Sequence, residues 1–118
     1  MSATASPFDV ESLIADSSLD NLISRLADDV RWVEVDQRSQ PNAPAVYRGK
    51  DEVVAMLEAA HERGIVSEVL DGFASGNRAA VAVLCTYPDG AGHVRVNALL
   101  HISDGMIVRW DGVQAWDE

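Results

Sequence analysis

The sequence predicts an α+β domain in which helices cover one face of a curved, mostly antiparallel sheet and leave a cone-shaped cavity. Three observations carry that prediction. Helical periodicity is confined to residues 6–63. The remainder alternates runs of β-branched and aromatic residues with Gly, Asn and Asp turn signals. The chain has 118 residues, 47% hydrophobic and 24% charged, which is one globular domain able to bury a real core.

Each element follows in order. Residues 1–5 are small and polar and read as a disordered tail on a single domain spanning 1–118. In Ser6-Pro7-Phe8-Asp9, Ser6 caps a first helix, Pro7 suits its first turn and Asp9 lies near its positive end. Val10, Leu13 and Ile14 form its apolar stripe. Leu19, Leu22, Ile23 and Leu26 repeat at helical spacing, giving a second short helix capped by Ser17 or Ser18. Val30–Asp36 reads as a strand, and Gln37–Ala45, with two prolines, as a loop. Gly49 to Arg63 is the longest helix, with Val53, Met56, Leu57, Ala60 and His61 on one side and Gly64 as its left-handed terminator. Four strands then form an antiparallel meander: Ile65–Ser75, Ala79–Tyr87, His93–Ser103 and Met106–Trp116. Asp104-Gly105 is a strong two-residue hairpin signal.

Composition removes several function classes. Nineteen acidic against nine basic residues give a net charge of −10, which repels nucleic acid and anionic membranes. A single cysteine, Cys85, excludes an internal disulfide and a multi-cysteine metal site. No His, Asp and Glu spacing matches a metal site, and there is no phosphate loop or dinucleotide fingerprint, so no metal or cofactor is expected. No apolar run is long enough to span a bilayer. The first residues lack the basic and hydrophobic parts of a signal peptide, so the expected location is the cytoplasm.

Three segments carry a family resemblance. They are Leu26-Ala27-Asp28-Asp29-Val30-Arg31-Trp32-Val33-Glu34, Tyr47-Arg48-Gly49-Lys50-Asp51-Glu52-Val53 and Asp104-Gly105-Met106-Ile107-Val108-Arg109-Trp110. Their order and spacing resemble the nuclear transport factor 2-like superfamily, in its SnoaL-like and ketosteroid-isomerase-like branch, from about Phe8 to Trp116. The resemblance implies a cone-shaped α+β barrel with three helices over a cavity. It also implies a homodimer through the outer sheet face, where Leu84, Leu99 and Val113 leave apolar area. The fold hosts isomerases, dehydratases, cyclases, epoxide hydrolases and non-enzymatic domains, so it does not select an activity.

Residue by residue, the resemblance offers one catalytic candidate. In ketosteroid-isomerase-like proteins the carboxylate base falls seven residues after the Ala of Ala-Asp-Asp, which is Glu34 here. Burial against apolar walls raises a carboxyl pKa and suits it to take a proton beside a carbonyl. The plainer reading is a solvated glutamate at a strand end. The family's oxyanion tyrosine falls at Val10 and its protonated aspartic acid at Leu100, so both donors are missing. The triad of limonene epoxide hydrolases is also absent: its last-strand Asp position is Gly112, with Asp111 on the opposite face.

Strand alternation points Trp32, Glu34 and Asp36 to one side. In the family register Val108, Trp110, Gly112, Gln114 and Trp116 face the cavity from the last strand. The expected ligand pocket is Trp32, Met56, Cys85, Tyr87, Leu100, Trp110 and Gln114, suited to a small hydrophobic or aromatic molecule. His61 is a second catalytic candidate, able to reach Glu34 if its helix turns it inward. Two function classes follow. One is a pocket protein with isomerase, lyase or cyclase chemistry on Glu34. The other is a ligand carrier or dimerisation module whose cone the tryptophans fill.

Overall fold

The computed structural model describes residues 8–117. The expected tail at residues 1–5 and the helix start at Ser6-Pro7 lie outside the described residues. Within them, α1 (Val10–Ala15) begins at Asp9, whose carboxylate accepts from the Ser12 backbone N–H. Helix α2 (Leu19–Ser24) is capped by Ser18, whose hydroxyl accepts from Asn21 N. Helix α3 spans Gly49–Glu62, and Gly64 follows it with φ +85°, the left-handed geometry that ends a helix.

Six strands make one curved, unclosed sheet. They are β1 (Leu26–Val35), β2 (Ala45–Arg48), β3 (Val66–Ser75), β4 (Arg78–Thr86), β5 (His93–Ser103) and β6 (Met106–Trp116), in the order β2-β1-β6-β5-β4-β3. β3 to β6 form the antiparallel meander read from the sequence, and β1 joins it parallel to β6. The β5–β6 turn has Asp104 at φ 52° and Gly105 at φ 76°, two left-handed residues that match the twist of a hairpin.

Two expectations need correction. Leu26 is not on the second helix; it opens β1, pairs with Ile107 and is fully buried. Its helical spacing with Leu22 is accidental, because a buried strand end also selects leucine. The loop expected over Gln37–Ala45 gives way at Ala45 to a short strand, β2, which pairs antiparallel with β1. Four residues between a proline and a helix leave too little alternation to be read as a strand.

The core lies between the sheet's inner face and the helices. Leu13 of α1, Val53 of α3, Leu26 and Val30 of β1, Leu100 of β5 and Ile107 of β6 are all fully or almost fully buried. A bulge in β6 shapes that face. His101 pairs with Arg109 but Ile102 pairs with Ile107, so Val108 is the extra residue. The bulge lets Ile107 fill the core in place of Val108, against the expected inward Val108, and a larger irregularity in β1 between Leu26 and Arg31 sets the register in which Trp32 pairs with Trp110. No helix among the described residues is long and apolar enough to cross a membrane.

Candidate functional site

Above the core the cone stays open. The inner cavity has a volume of about 180 Å³ and is walled by all three helices, by β1 and by β3 to β6. Its polar feature is Glu34. The side chain is 7% exposed, the one buried ionisable group among the described residues. Glu34 stands opposite Gly112 on β6, and Trp32 stands opposite Trp110. Alternation along the two strands therefore puts Trp32, Glu34, Trp110 and Gly112 on one inward face.

This register creates the site. The Trp32 and Trp110 rings stack with centroids 4.1 Å apart and planes 6° from parallel. Both indole N–H groups donate to the same oxygen, Glu34 Oε1, at 3.0 Å from Trp32 and 3.1 Å from Trp110. Glu34 Oε2 accepts a longer bond of 3.4 Å from the Gln114 amide. Gln114 is itself oriented by Trp116, whose indole donates to its Oε1 at 3.0 Å. Gly112 supplies the room: a Cβ there would sit 2.5 Å from Glu34 Oε2 and 2.8 Å from Trp110 Nε1.

Burial dominates the electrostatics. It raises the Glu34 pKa from 4.5 to about 7, against the lowering effect of the three N–H donors, and the Asp36 charge adds a small further rise. Burial also raises the Cys85 thiol, which faces the same cavity and feels the Glu34 charge. Cys85 Sγ contacts Ser67 Oγ at 3.4 Å on the far wall. No group of three or more His, Cys, Asp or Glu able to hold a metal occurs among the described residues.

The expected pocket residues divide clearly. Trp32, Met56, Cys85, Tyr87, Trp110 and Gln114 line the cavity. Leu100 does not. It is fully buried opposite Trp110, deeper in the cone, where it is core and not wall. His61 does not reach Glu34: it is exposed on the last turn of α3 and absent from the lining, because the inward stripe runs through Met56, Leu57 and Ala60. Trp116 lies at the rim against Tyr87, with centroids 5.6 Å apart, and leaves the cone unfilled. Val10, at the family's tyrosine position, is buried and packs toward Gly72. Asp111 stays on the outer face, where Arg109 donates to it at 2.8 and 3.1 Å.

Sequence reasoning placed Met56 of α3 in the wall but missed the α1–α2 and β3 side. Ser17 lines the cavity and ties α1 to β3, donating to Leu13 O at 3.2 Å and accepting from Val69 N at 2.9 Å. No local signal marks such a serine. Gly112 was detectable, since a glycine inside a strand marks a close approach.

The SnoaL-like domain family profile matches residues 10–110, most of the chain. The chain belongs to the SnoaL-like family. Solved structures agree on the fold. A nuclear transport factor 2-like protein of unknown function from Mesorhizobium loti aligns with TM-score 0.69 and 20% identity, covering 90% of this chain and 84% of that one. A candidate ketosteroid isomerase from Kribbella flavida aligns with TM-score 0.62 and 21% identity, covering 92% and 71%. A candidate polyketide cyclase from Sinorhizobium meliloti aligns with TM-score 0.58 and 20% identity, covering 86% of each chain. No curated protein sequence matches this SnoaL-like chain.

Proposed function

We propose that this SnoaL-like domain, a single unit over 1–118 working in the cytoplasm, binds a small hydrophobic or aromatic molecule in the inner cavity. Glu34 acts there as general base in an isomerase, lyase or cyclase reaction. One observation carries the reading: a carboxyl 7% exposed in a cavity wall, with a pKa of about 7. A base is most effective when its pKa lies near the working pH. The proton leaves a C–H bond beside a carbonyl and goes to Glu34 Oε2. The C–H electron pair moves to the carbonyl oxygen, giving an enolate.

The wall limits that chemistry. Val10 and Leu100 are buried hydrocarbon, so the enolate oxygen finds neither donor of the ketosteroid isomerases. Tyr87, Ser18 and Ser67 are the lining hydroxyls left to serve it, since Ser17 already donates to Leu13 O. Each lost donor lowers a rate by about 10²–10³. Size narrows the occupant as well. The cavity of about 180 Å³ is near the roughly 150 Å³ that holds one benzene ring and below the roughly 300 Å³ of the smallest drug-sized pockets. A single ring with a small substituent fits; a four-ring steroid does not.

Deuterium exchange tests the base. Single-ring ketones in heavy water should gain deuterium beside the carbonyl with the wild-type protein and not with Glu34→Gln. Exchange no faster than buffer for every ketone, or undiminished in Glu34→Gln, overturns the catalytic reading. The carrier reading then gains. One observation favours it: both indole N–H groups are already spent on Glu34.

The outer sheet face is read as a homodimer interface. Phe73, Leu99 and Val113 are 68%, 55% and 58% exposed. They border an open groove of about 670 Å³ that also holds Arg95, Arg109, Asp71 and Asp111. Both signs of charge in one groove make it self-complementary under a two-fold axis, so the partner it fits is a second copy.

A further inference from the structure

We propose that the occupant of the inner cavity is a small monocyclic amine bound as a cation, its ammonium seated against Glu34 Oε2. The proposal rests on reading the cavity as a ligand pocket and goes with the carrier reading, because an ammonium on Oε2 occupies the oxygen that a general base would need. The two oxygens of Glu34 are unequal. Oε1 already accepts two indole N–H groups, at 3.0 and 3.1 Å. Oε2 has only the Gln114 amide, at 3.4 Å, and keeps capacity for a donor from the cavity.

The character of the contacts decides which donor. All three are N–H donors, so the surroundings are arranged for the ionised carboxylate. None of them carries positive charge, and the wall contains no Lys, Arg or His. A carboxylate this buried lacks the partner that buried charges ordinarily have. No neighbouring element among the described residues supplies that partner: β3, β5 and β6 bring only Ser67, Val69, Val94, Val96, Trp110 and Gln114 to the wall. Beyond the end of β1 stands Asp36, another acid. β4 and its end bring Cys85 and Tyr87. Helices α1 and α2, with the turn between them, bring only Leu13, Leu22 and two serines. From α3 and its end, His61 is exposed, and Arg63, which does not line the cavity, lies 5.9 Å from the Tyr87 ring centroid. His93 and Asp117 pair with each other at 3.0 Å in solvent.

An ammonium supplies the missing charge in a charge-assisted hydrogen bond. Trp32, Trp110 and Tyr87 add aromatic walls that favour a cation. The net charge of −10 raises the local concentration of cations around the whole molecule. A carboxylic acid of the same size meets Glu34 and Asp36 with no compensating cation, and is rejected. The bound ammonium holds Glu34 ionised, so affinity tracks the ionised fraction.

Four one-ring probes test this: benzylamine, benzyl alcohol, toluene and benzoate, titrated by calorimetry and tryptophan fluorescence. Benzylamine should bind at least about tenfold tighter than benzyl alcohol, the factor a charged hydrogen bond carries, and benzoate should not bind. Benzylamine affinity should fall as pH is lowered through about 7, where Glu34 takes its proton. Glu34→Gln should remove the amine preference, and a cooperative melting transition with a wild-type circular dichroism spectrum shows that the variant is folded. Toluene binding without amine preference, or affinity that rises as pH falls, overturns the amine and leaves the pocket standing. Failure of all four probes overturns both.

Discussion

Trp32 and Trp110 come from strands that run parallel, yet their indole N–H groups meet on one oxygen of Glu34. In-register pairing makes this possible: Trp32 faces Trp110 directly, and Glu34 lies two residues further along the same inward face. The stack thus fixes the carboxyl, and the carboxyl satisfies both indoles. Replacing either tryptophan by Phe should raise the Glu34 pKa above its value of about 7, because each N–H bond favours the ionised form. Carbon-detected NMR titration of the glutamate carboxyls reads the shift. A pKa unchanged in both variants would show that the bonds do not form in solution.

Stability should depend on pH through the same residue, with a defined sign. The folded-state pKa lies above the ordinary 4.5, so the folded chain binds the proton more tightly than the unfolded chain. The contribution is complete below about 4.5 and is lost as pH rises to about 7. A carboxyl moved from 4.5 to about 7 carries about 3 kcal/mol between its two forms. Denaturant unfolding across this window should show wild type losing stability relative to Glu34→Gln. Parallel curves for the two proteins would place Glu34 in water.

Gly112→Ala should eject the carboxyl. The new methyl would stand 2.5 Å from Glu34 Oε2 and 2.9 Å from Glu34 Cδ, and the stacked indoles leave no lateral room. Overpacking of this kind costs about 1–3 kcal/mol. The melting temperature should fall and the Glu34 pKa should return toward 4.5 as the group becomes hydrated. A variant with wild-type stability and pKa would mean that the strands part easily there.

The dimer is tested on the outer face. Leu99→Arg with Val113→Arg puts two cations on the apolar rim of the groove, where the exposed side chains can turn to solvent without disturbing the core. Light scattering at micromolar concentration should give a dimer mass for wild type and a monomer mass for the double variant. A monomeric wild type would remove the interface.

The sheet and the carboxyl were legible in the sequence because both rest on alternation. Trp32 and Glu34 are two apart on a β-branched run, and Trp110 and Gln114 belong to the inward set of a strand whose hairpin turn is explicit. What failed were depth and irregularity. Alternation cannot separate Leu100 from Val96 on β5: both point inward, but only Val96 lies at the level of the cavity. The bulge at Val108 has no glycine or proline to announce it. His61 and Leu57 sit on adjacent spokes of α3, and only tertiary packing decides which one turns in. β2 was too short to show a period.

Depth also changes what Leu100→Asp would do. At that position Asp would be fully buried under Trp110 among core residues, away from the cavity wall. Burying an unpaired polar group costs roughly 2–7 kcal/mol, so the melting temperature should drop steeply. No gain of isomerase activity should accompany the loss. A stable variant that isomerised a ring ketone faster than wild type would show that the cavity extends down to Leu100.

The size of the cone is the remaining discriminator, and the two stacked indoles report on it. A ring entering the cavity lies against Trp32 and Trp110 and should quench their emission. With about 180 Å³ available, one-ring molecules should quench and raise the melting temperature, while four-ring steroids should do neither. Val83→Ala removes two methyl groups from the β4 wall without touching Glu34, Trp32 or Trp110. It should cost about 2 kcal/mol through the cavity it leaves, and should extend binding to two-ring molecules. Unchanged size selectivity in Val83→Ala would mean that the rim sets the limit, where Tyr87 packs on Trp116. A steroid that bound the wild-type protein as tightly as a single ring would overturn the size argument itself, since the wall would then have to open by more than its own present volume.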